Sequence, residues 1–411
     1  MKILQICTSD KGGAAHAAIR LHLALLAQGV NSKILVLKKF KKTPQSYIFR
    51  SDFLLNRYQN FWNRLLKETK NKLEKSQLEG QPKGFEMFSF ADSWFDIRQS
   101  KYFQEADIIH LHWVAGFLDY RSFFQEHSKK IIWTLHDMNP FTGGCHYASD
   151  CRNYLADCSN CPQLKGIRKP NLARQFFQVK QQAFEGTNLH IVSPSKWLFE
   201  EAKSSALLGK FSNYCIPNGL NFQEFKATSK KEARQILNLP LDKKIIFFTA
   251  QDTTNIRKGF HLLQEALTYF EKIGNTADLV VYTAGKEGGF SLPKIEIIEA
   301  GTITSAEKMA LAYSASDLFV IPSLEDNLPN TVLESLACGT PVVGFRIGGI
   351  PDMIQDGDNG FLVDEISSTK LAQTLHYALQ NLAQFDSQKL RTNCQAKYAP
   401  EIQAKAYLDI Y

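Results

Sequence analysis

No stretch of the 411-residue chain approaches the roughly 20 consecutive apolar residues that a helix needs to cross a bilayer; the longest apolar runs, such as Ile245 to Phe248, are strand-sized. A membrane-spanning helix is thereby excluded. A secretory signal is also missing: MKILQICTSDKGG is basic only at Lys2 and turns polar by Thr8, with no extended apolar region and no small-residue cleavage site. The expectation is a cytoplasmic chain, in a reducing compartment that disfavours structural disulfides. There is no large charge excess of one sign, since 48 Lys+Arg stand against 41 Asp+Glu for a net +7. With 12% aromatic residues, that balance excludes a disordered chain. The full G-x-G-x-x-G spacing is absent after the first strand, and no acid suited to a ribose follows the second, which disfavours a nicotinamide cofactor. No short internal repeat is visible.

What is present is alternation. Short β-branched runs at Ile3 to Cys7, Lys33 to Leu37, Ile108 to His112, Ile131 to Leu135 and His190 to Pro194 are separated by segments of helical period. Ala14 to Gln28 is the first such segment, and Gly29 is placed to end it. The second half repeats the plan with strands at Lys244 to Thr249, Asp278 to Ala284, Ile295 to Glu299, Leu318 to Pro322, Pro341 to Gly344 and Gly360 to Val363. Helices are expected near Gly259 to Phe270, Ala306 to Ser314 and Asn330 to Cys338. The fold class is therefore α/β, with two doubly wound Rossmann-like domains. Pro217-Asn218-Gly219 is the turn between them, giving domains 1–216 and 217–394, with a helix in 395–411 crossing back to the first.

One segment breaks the pattern. Lys38 to Gly84 carries twelve basic and four acidic residues, so the remainder of the chain is close to neutral. Phe53, Leu54, Tyr58, Phe61, Trp62, Leu65 and Leu66 recur within it at helical spacing. The plainer reading is a helical hairpin with a solvated basic face; the sharper one is contact with an anionic membrane surface. Because the charge is confined to this insertion, nucleic acid is not an expected partner.

Open doubly wound sheets bind ligands at the carboxyl ends of their strands. Gly12-Gly13 follows the first strand and opens a helix, where backbone N–H groups and the helix dipole favour a phosphate. In the second domain, PSLEDNLPNTVLESLACGTPVVG, residues 322 to 344, places Asp326 in a loop and Glu334 eight residues on, near the middle of a helix. Paired acids so placed suit ligand hydroxyls, while the N–H groups of Asn327 and Leu328 suit a diphosphate. His136, with Asp137 after it, lies just past a strand end of the first domain, a site position; His110 and His112 alternate to one face of the previous strand, where core packing is the expectation and lining the same cleft the alternative.

The stretch from 322 to 344 resembles the acidic E-x7-E signature of the retaining glycosyltransferases of family 4, which have the GT-B fold. The resemblance extends in register through the turn at Gly12, Leu135-His136-Asp137, Ser193-Pro194-Ser195, Pro217-Asn218-Gly219, Arg257-Lys258-Gly259 and Gly348-Gly349-Ile350-Pro351, leaving out mainly the 38–84 insertion. It implies that Glu334 holds the ribose hydroxyls of a nucleotide and that Asp326, an Asp where most members have Glu, lies by the donor sugar. It implies that Lys258 neutralises the donor diphosphate and that His136 contacts sugar or acceptor. The family's arginine five or six residues before that lysine is replaced here by Asp252 and Thr253, so Arg257 is the candidate substitute. No catalytic metal or other catalytic cofactor is implied.

Four of the eight cysteines, Cys145, Cys151, Cys158 and Cys161, fall within seventeen residues as C-x5-C-x6-C-x2-C, in a loop spanning 143–164. A terminal C-x2-C is a zinc knuckle and two further thiolates complete a tetrahedron, so structural zinc is expected, with His146 as an alternative ligand and disulfides or free thiols as rivals. A similar Cys-rich loop occurs in a subset of the family.

The resulting expectation is a retaining glycosyltransferase that moves a sugar from a nucleotide diphosphate-sugar to a saccharide or lipid-linked saccharide in cell-surface polysaccharide assembly. Its expected location is the cytoplasm, at the inner face of the plasma membrane if the insertion binds there. The rival readings are a sugar-nucleotide epimerase of the same fold and a non-catalytic nucleotide or nucleic-acid binder with a zinc knuckle.

Overall fold

A computed structural model describes residues 1–50, 76–82, 84–125, 128–165, 171–250, 254–274, 276–285 and 292–411. The chain divides into two compact units, Met1–Pro217 with Gln403–Tyr411, and Asn218–Ile402. The division falls inside the Pro217-Asn218-Gly219 turn. The segment that rejoins the first unit starts at Gln403, whereas position 395 lies inside a helix, Ser387–Tyr398, of the second.

The first unit is built on seven strands: β1 (Lys2–Ser9), β2 (Asn31–Lys38), β3 (Ser46–Ile48), β4 (Ile108–Leu111), β5 (Lys130–Thr134), β6 (Leu189–Ser193) and β7 (Ser212–Cys215). They form one parallel sheet in the order β3-β2-β1-β4-β5-β6-β7. The central strands are buried on both faces, as parallel strands covered by helices must be, and Ile6, Leu35, Ile109 and Trp133 are among their core residues. A row of polar side chains interrupts this apolar sheet. Ser32 on β2, Gln5 on β1, His110 on β4, His112 just beyond it and Thr134 on β5 are all almost fully buried.

The second unit holds β8 (Lys244–Ala250), β9 (Leu279–Gly285), β10 (Glu296–Glu299), β11 (Leu318–Ile321), β12 (Val342–Phe345) and β13 (Gly360–Val363). They are parallel in the order β10-β9-β8-β11-β12-β13. All six had been legible from the sequence; in the first unit β3 and β7 were not. In both units the order reverses direction beside the first strand, the switch point that opens a ligand crevice in such sheets.

Among the described residues no helix is long and apolar enough to cross a membrane. Within the 38–84 insertion, residues 51–75 and 83 lie outside the described residues, and with them the apolar set from Phe53 to Leu66. Asp252 and Thr253 also lie outside them.

Candidate active site

In the second unit the site is assembled from two loops. One leaves β8 and ends in a short 3-10 turn, Ile256–Lys258, before the Phe260–Ile273 helix. The other leaves β11 and runs from Pro322 to Pro329 into the Asn330–Ala337 helix. Glycine permits their close approach. Gly259 has φ +68°, and a Cβ there would lie 1.7 Å from the Pro322 carbonyl oxygen. In a third loop, after β12, Gly348 has φ +52°, and a Cβ there would meet the Asp326 carbonyl oxygen at 2.1 Å, while the neighbouring Gly349 N–H donates to that same oxygen. Gly259→Ala therefore combines left-handed strain with a backbone clash; an expected loss of about 2–4 kcal/mol is measurable by urea unfolding.

The two loops are joined by charge. Lys258 Nζ donates to Asp326 Oδ2 at 2.6 Å, and Arg257 NH1 stands 3.5 Å from the same oxygen while donating to the Glu325 carbonyl at 2.6 Å. Ser323 Oγ donates to Asp326 Oδ2 and the Asn327 N–H to Oδ1. Burial raises the Asp326 carboxyl, but Lys258 and then Arg257 outweigh it, and the net shift is downward. The contribution of this pairing to stability is present above the ordinary Asp value near 3.9 and is lost as pH falls through the lower folded value. Asp326→Asn is expected to flatten the acid limb of the stability–pH curve below the ordinary Asp value, read by thermal unfolding.

The arrangement brings Arg257, Lys258, Asp326 and Asn327 together and reassigns two of them. Asp326 holds the two cations, 2.6 Å from Lys258 Nζ and 3.5 Å from Arg257 NH1. The Asn327 N–H expected at a diphosphate is turned onto Asp326 instead. Leu328 is buried among the core of this unit. Glu334 sits mid-helix, nearly buried at 8% exposure, with Tyr313 OH donating to its Oε2 at 3.4 Å.

In the first unit, Gly12 caps the Gly13–Ala27 helix with φ +107° and open space where a Cβ would be. The conformation, and not crowding, is what calls for glycine there. Asp10 accepts from the N–H groups of Phe40 and Lys41, pinning the chain after β2 beside this helix start. His136 follows β5 and is half-buried; burial pushes it down to about 4, against the opposing charge of Asp137. Its Nε2 is 3.1 Å from His112 Nδ1. Asp137 is a framework residue: it accepts from Trp113 Nε1, His146 Nδ1 and the Asn139 N–H. His110 and His112 are buried and stacked, as expected for core packing, but both are hydrogen-bonded.

All four clustered cysteines line one small cavity with Phe88 and Tyr154. None of the four is joined in a disulfide. Backbone N–H groups point at two of the sulfurs, from Gly143 to Cys158 at 3.1 Å and from Gln163 and Leu164 to Cys161. Burial raises Cys145, Cys158 and Cys161, with Cys158 pushed up to about 12. Among the described residues, no three His, Cys, Asp or Glu side chains are grouped so as to hold a metal ion. The donor chemistry thus fits zinc while the side-chain spacing does not. His146 is not a spare ligand, since Nδ1 is taken by Asp137 and Nε2 by Ser89.

Two parallel-sheet units, with an acid-bearing helix after β11 in the second, define a GT-B glycosyltransferase. The chain belongs to the group 1 glycosyl transferases: residues 243–381 match the family described as "Glycosyl transferases group 1", and it is 31% identical over 325 residues to a D-inositol 3-phosphate glycosyltransferase of Corynebacterium urealyticum, covering 73% of this chain and 68% of the relative. It is also 24% identical over 294 residues to the putative colanic acid biosynthesis glycosyl transferase WcaC of Escherichia coli, covering 68% of each. In fold it is similar to Anabaena HepE, solved in complex with UDP and glucose, with a TM-score of 0.66 at 14% identity over 100% of this chain and 99% of the other.

Proposed function

We propose that this glycosyltransferase takes a nucleotide diphosphate-sugar on its second unit and transfers the sugar, with retention, to a saccharide or lipid-linked saccharide. The observation that carries this reading is the Arg257–Lys258 pair held by Asp326 at the strand ends, with Glu334 on the helix that follows. Two cations suit a diphosphate, and a nearly buried carboxylate suits a pair of vicinal hydroxyls such as those of a ribose. The HepE complex with UDP and glucose and the family resemblance support the same donor class.

In the reaction so read, the bond from the anomeric carbon to the diphosphate oxygen breaks. The acceptor hydroxyl oxygen bonds to that carbon on the same face, and its proton passes to the departing phosphate oxygen. Lys258 and Arg257 meet the charge that develops on that oxygen, the form of stabilisation that lowers a barrier most in a dry site. Asp326 fixes where those cations stand. Incubation with a panel of nucleotide sugars and saccharide acceptors tests this, with NMR of the product anomer. A product of inverted configuration would overturn retention, and isomerised donor without an acceptor would favour the epimerase reading.

The likeness to WcaC supports a role in cell-surface polysaccharide assembly. Peripheral contact with an anionic membrane through 38–84 is part of the same reading, supported by the exposed Phe40, Phe85, Met87 and Trp94 in and just after the basic segment. Sedimentation with phosphatidylglycerol vesicles at low salt, lost at high salt, is expected; no co-sedimentation at low salt would remove it.

Structural zinc at Cys145, Cys151, Cys158 and Cys161 is proposed on the shared cavity and on the N–H groups aimed at two of the sulfurs, which favour thiolate there against the burial that raises these thiols. Binding requires the four sulfurs to draw in from where they stand. About one zinc per chain is expected by elemental analysis of protein purified under reducing conditions without chelator; a metal-free product would overturn it.

A further inference from the structure

The buried polar row of the first sheet is a continuous hydrogen-bond chain, and one end of it fixes its direction. His22 Nε2 is 2.9 Å from the Pro44 carbonyl oxygen. A carbonyl only accepts, so Nε2 carries the proton and, in a neutral ring, Nδ1 does not. His22 Nδ1 is 2.8 Å from Ser32 Oγ, so the Ser32 hydroxyl donates to it. The hydroxyl hydrogen is then used, and the Gln5 atom 3.0 Å from Ser32 Oγ has to be a donor, Nε2. That orientation turns Gln5 Oε1 toward His112 Nε2 at 2.9 Å, which donates to it. His112 Nδ1 is left as an acceptor, and the proton in the 3.1 Å contact with His136 has to lie on His136 Nε2.

We infer that His136 is held in a single tautomer, protonated at Nε2 and unprotonated at Nδ1, by this one-way chain, and that His112, Gln5, Ser32 and His22 are positioning residues for its contact with the sugar. Every interior member is nearly inaccessible, from His22, Ser32 and Gln5 at 0% to His112 at 2%, while His136 is half-buried at the strand end. Burial lowers His22, His112 and His136, so the rings are neutral near pH 7 and each has one donor and one acceptor nitrogen. A ring held this way accepts a hydrogen bond at Nδ1 and does not donate one there. The chain crosses β2, β1 and β4 and begins at Pro44, in the connection between β2 and β3.

The role of His136 at a sugar rests on the proposed transferase reading, whereas its tautomer does not. Long-range proton–nitrogen NMR of histidine-labelled protein, with His136 assigned by comparison with His136→Gln, is expected to show one form with Nε2 protonated. Ser32→Ala breaks the chain and frees the Gln5 amide to turn. The expected result is a mixture of His136 tautomers with kcat lowered about five- to tenfold and donor KM held. Ser32→Thr, which keeps the hydroxyl, is expected to restore both.

Wild-type His136 protonated at Nδ1 would overturn the inference, and so would a Ser32→Ala protein that keeps the single tautomer. The wild-type spectrum is decisive even if Ser32→Ala fails to fold. A wild-type tautomer as expected, in a protein that transfers no sugar, would uphold the chain and overturn the transferase reading alone.

Discussion

Lys258→Ala is expected to lower turnover by about 10²–10³-fold, the usual cost of removing one group aimed at developing oxyanion charge, while donor affinity falls much less. Lys258 meets the bridging diphosphate oxygen most strongly as the bond breaks, so its loss is felt in the transition state more than in the ground state. There is a second consequence. Asp326 loses the cation 2.6 Å away and keeps Arg257 at 3.5 Å with the Ser323 hydroxyl and the Asn327 N–H, so a buried carboxylate is left less well paired. Breaking such a pair costs about 3–5 kcal/mol, and part of that should appear as lowered stability. The double variant Lys258→Ala, Asp326→Asn is expected to recover stability without recovering turnover. Steady-state kinetics beside urea unfolding separates the two effects. Equal losses in donor affinity and unchanged turnover would mark Lys258 as a ground-state anchor.

Glu334→Ala is expected to weaken nucleotide-sugar binding by about 10–100-fold, since hydrogen bonds to a charged group are worth roughly 1.5–3 kcal/mol. The fold should survive. Glu334 is at the margin of the core, with the Tyr313 OH 3.4 Å from its Oε2. The asymmetry between the two acids is a consequence of their surroundings. Asp326 is enclosed by protein cations and stays charged to hold them; Glu334 carries its carboxylate mid-helix, at 8% exposure.

Most strands of the second unit were legible because they carry apolar runs buried on both faces, β10 with its terminal glutamates being the partly covered exception, and Asn330 to Cys338 is close to the observed Asn330–Ala337. Edge strands of the first unit were not. Ser46–Ile48 has three residues, and Ser212–Cys215 is polar and only partly covered, so neither has a periodicity to read. The candidate site residues were legible through their motif, but their pairing was not: Lys258 and Asp326 are 68 positions apart, and the close approach of their loops that Gly259 allows joins them. Of the chain from His22 to His136, only His112 and His136 left a sequence signal, and their connection left none. Ser32, Gln5 and His112 look like lapses in hydrophobic strands until parallel register sets Gln5 beside β4.

Calorimetric titration of the protein and of Glu334→Ala with UDP, GDP and ADP tests the central claim most directly. The expected result is that the protein binds one nucleoside diphosphate and that Glu334→Ala binds it at least about tenfold more weakly. Equal affinity in the variant, or no binding of any nucleoside diphosphate by the protein, would contradict the placement of a nucleotide-sugar donor on the second unit.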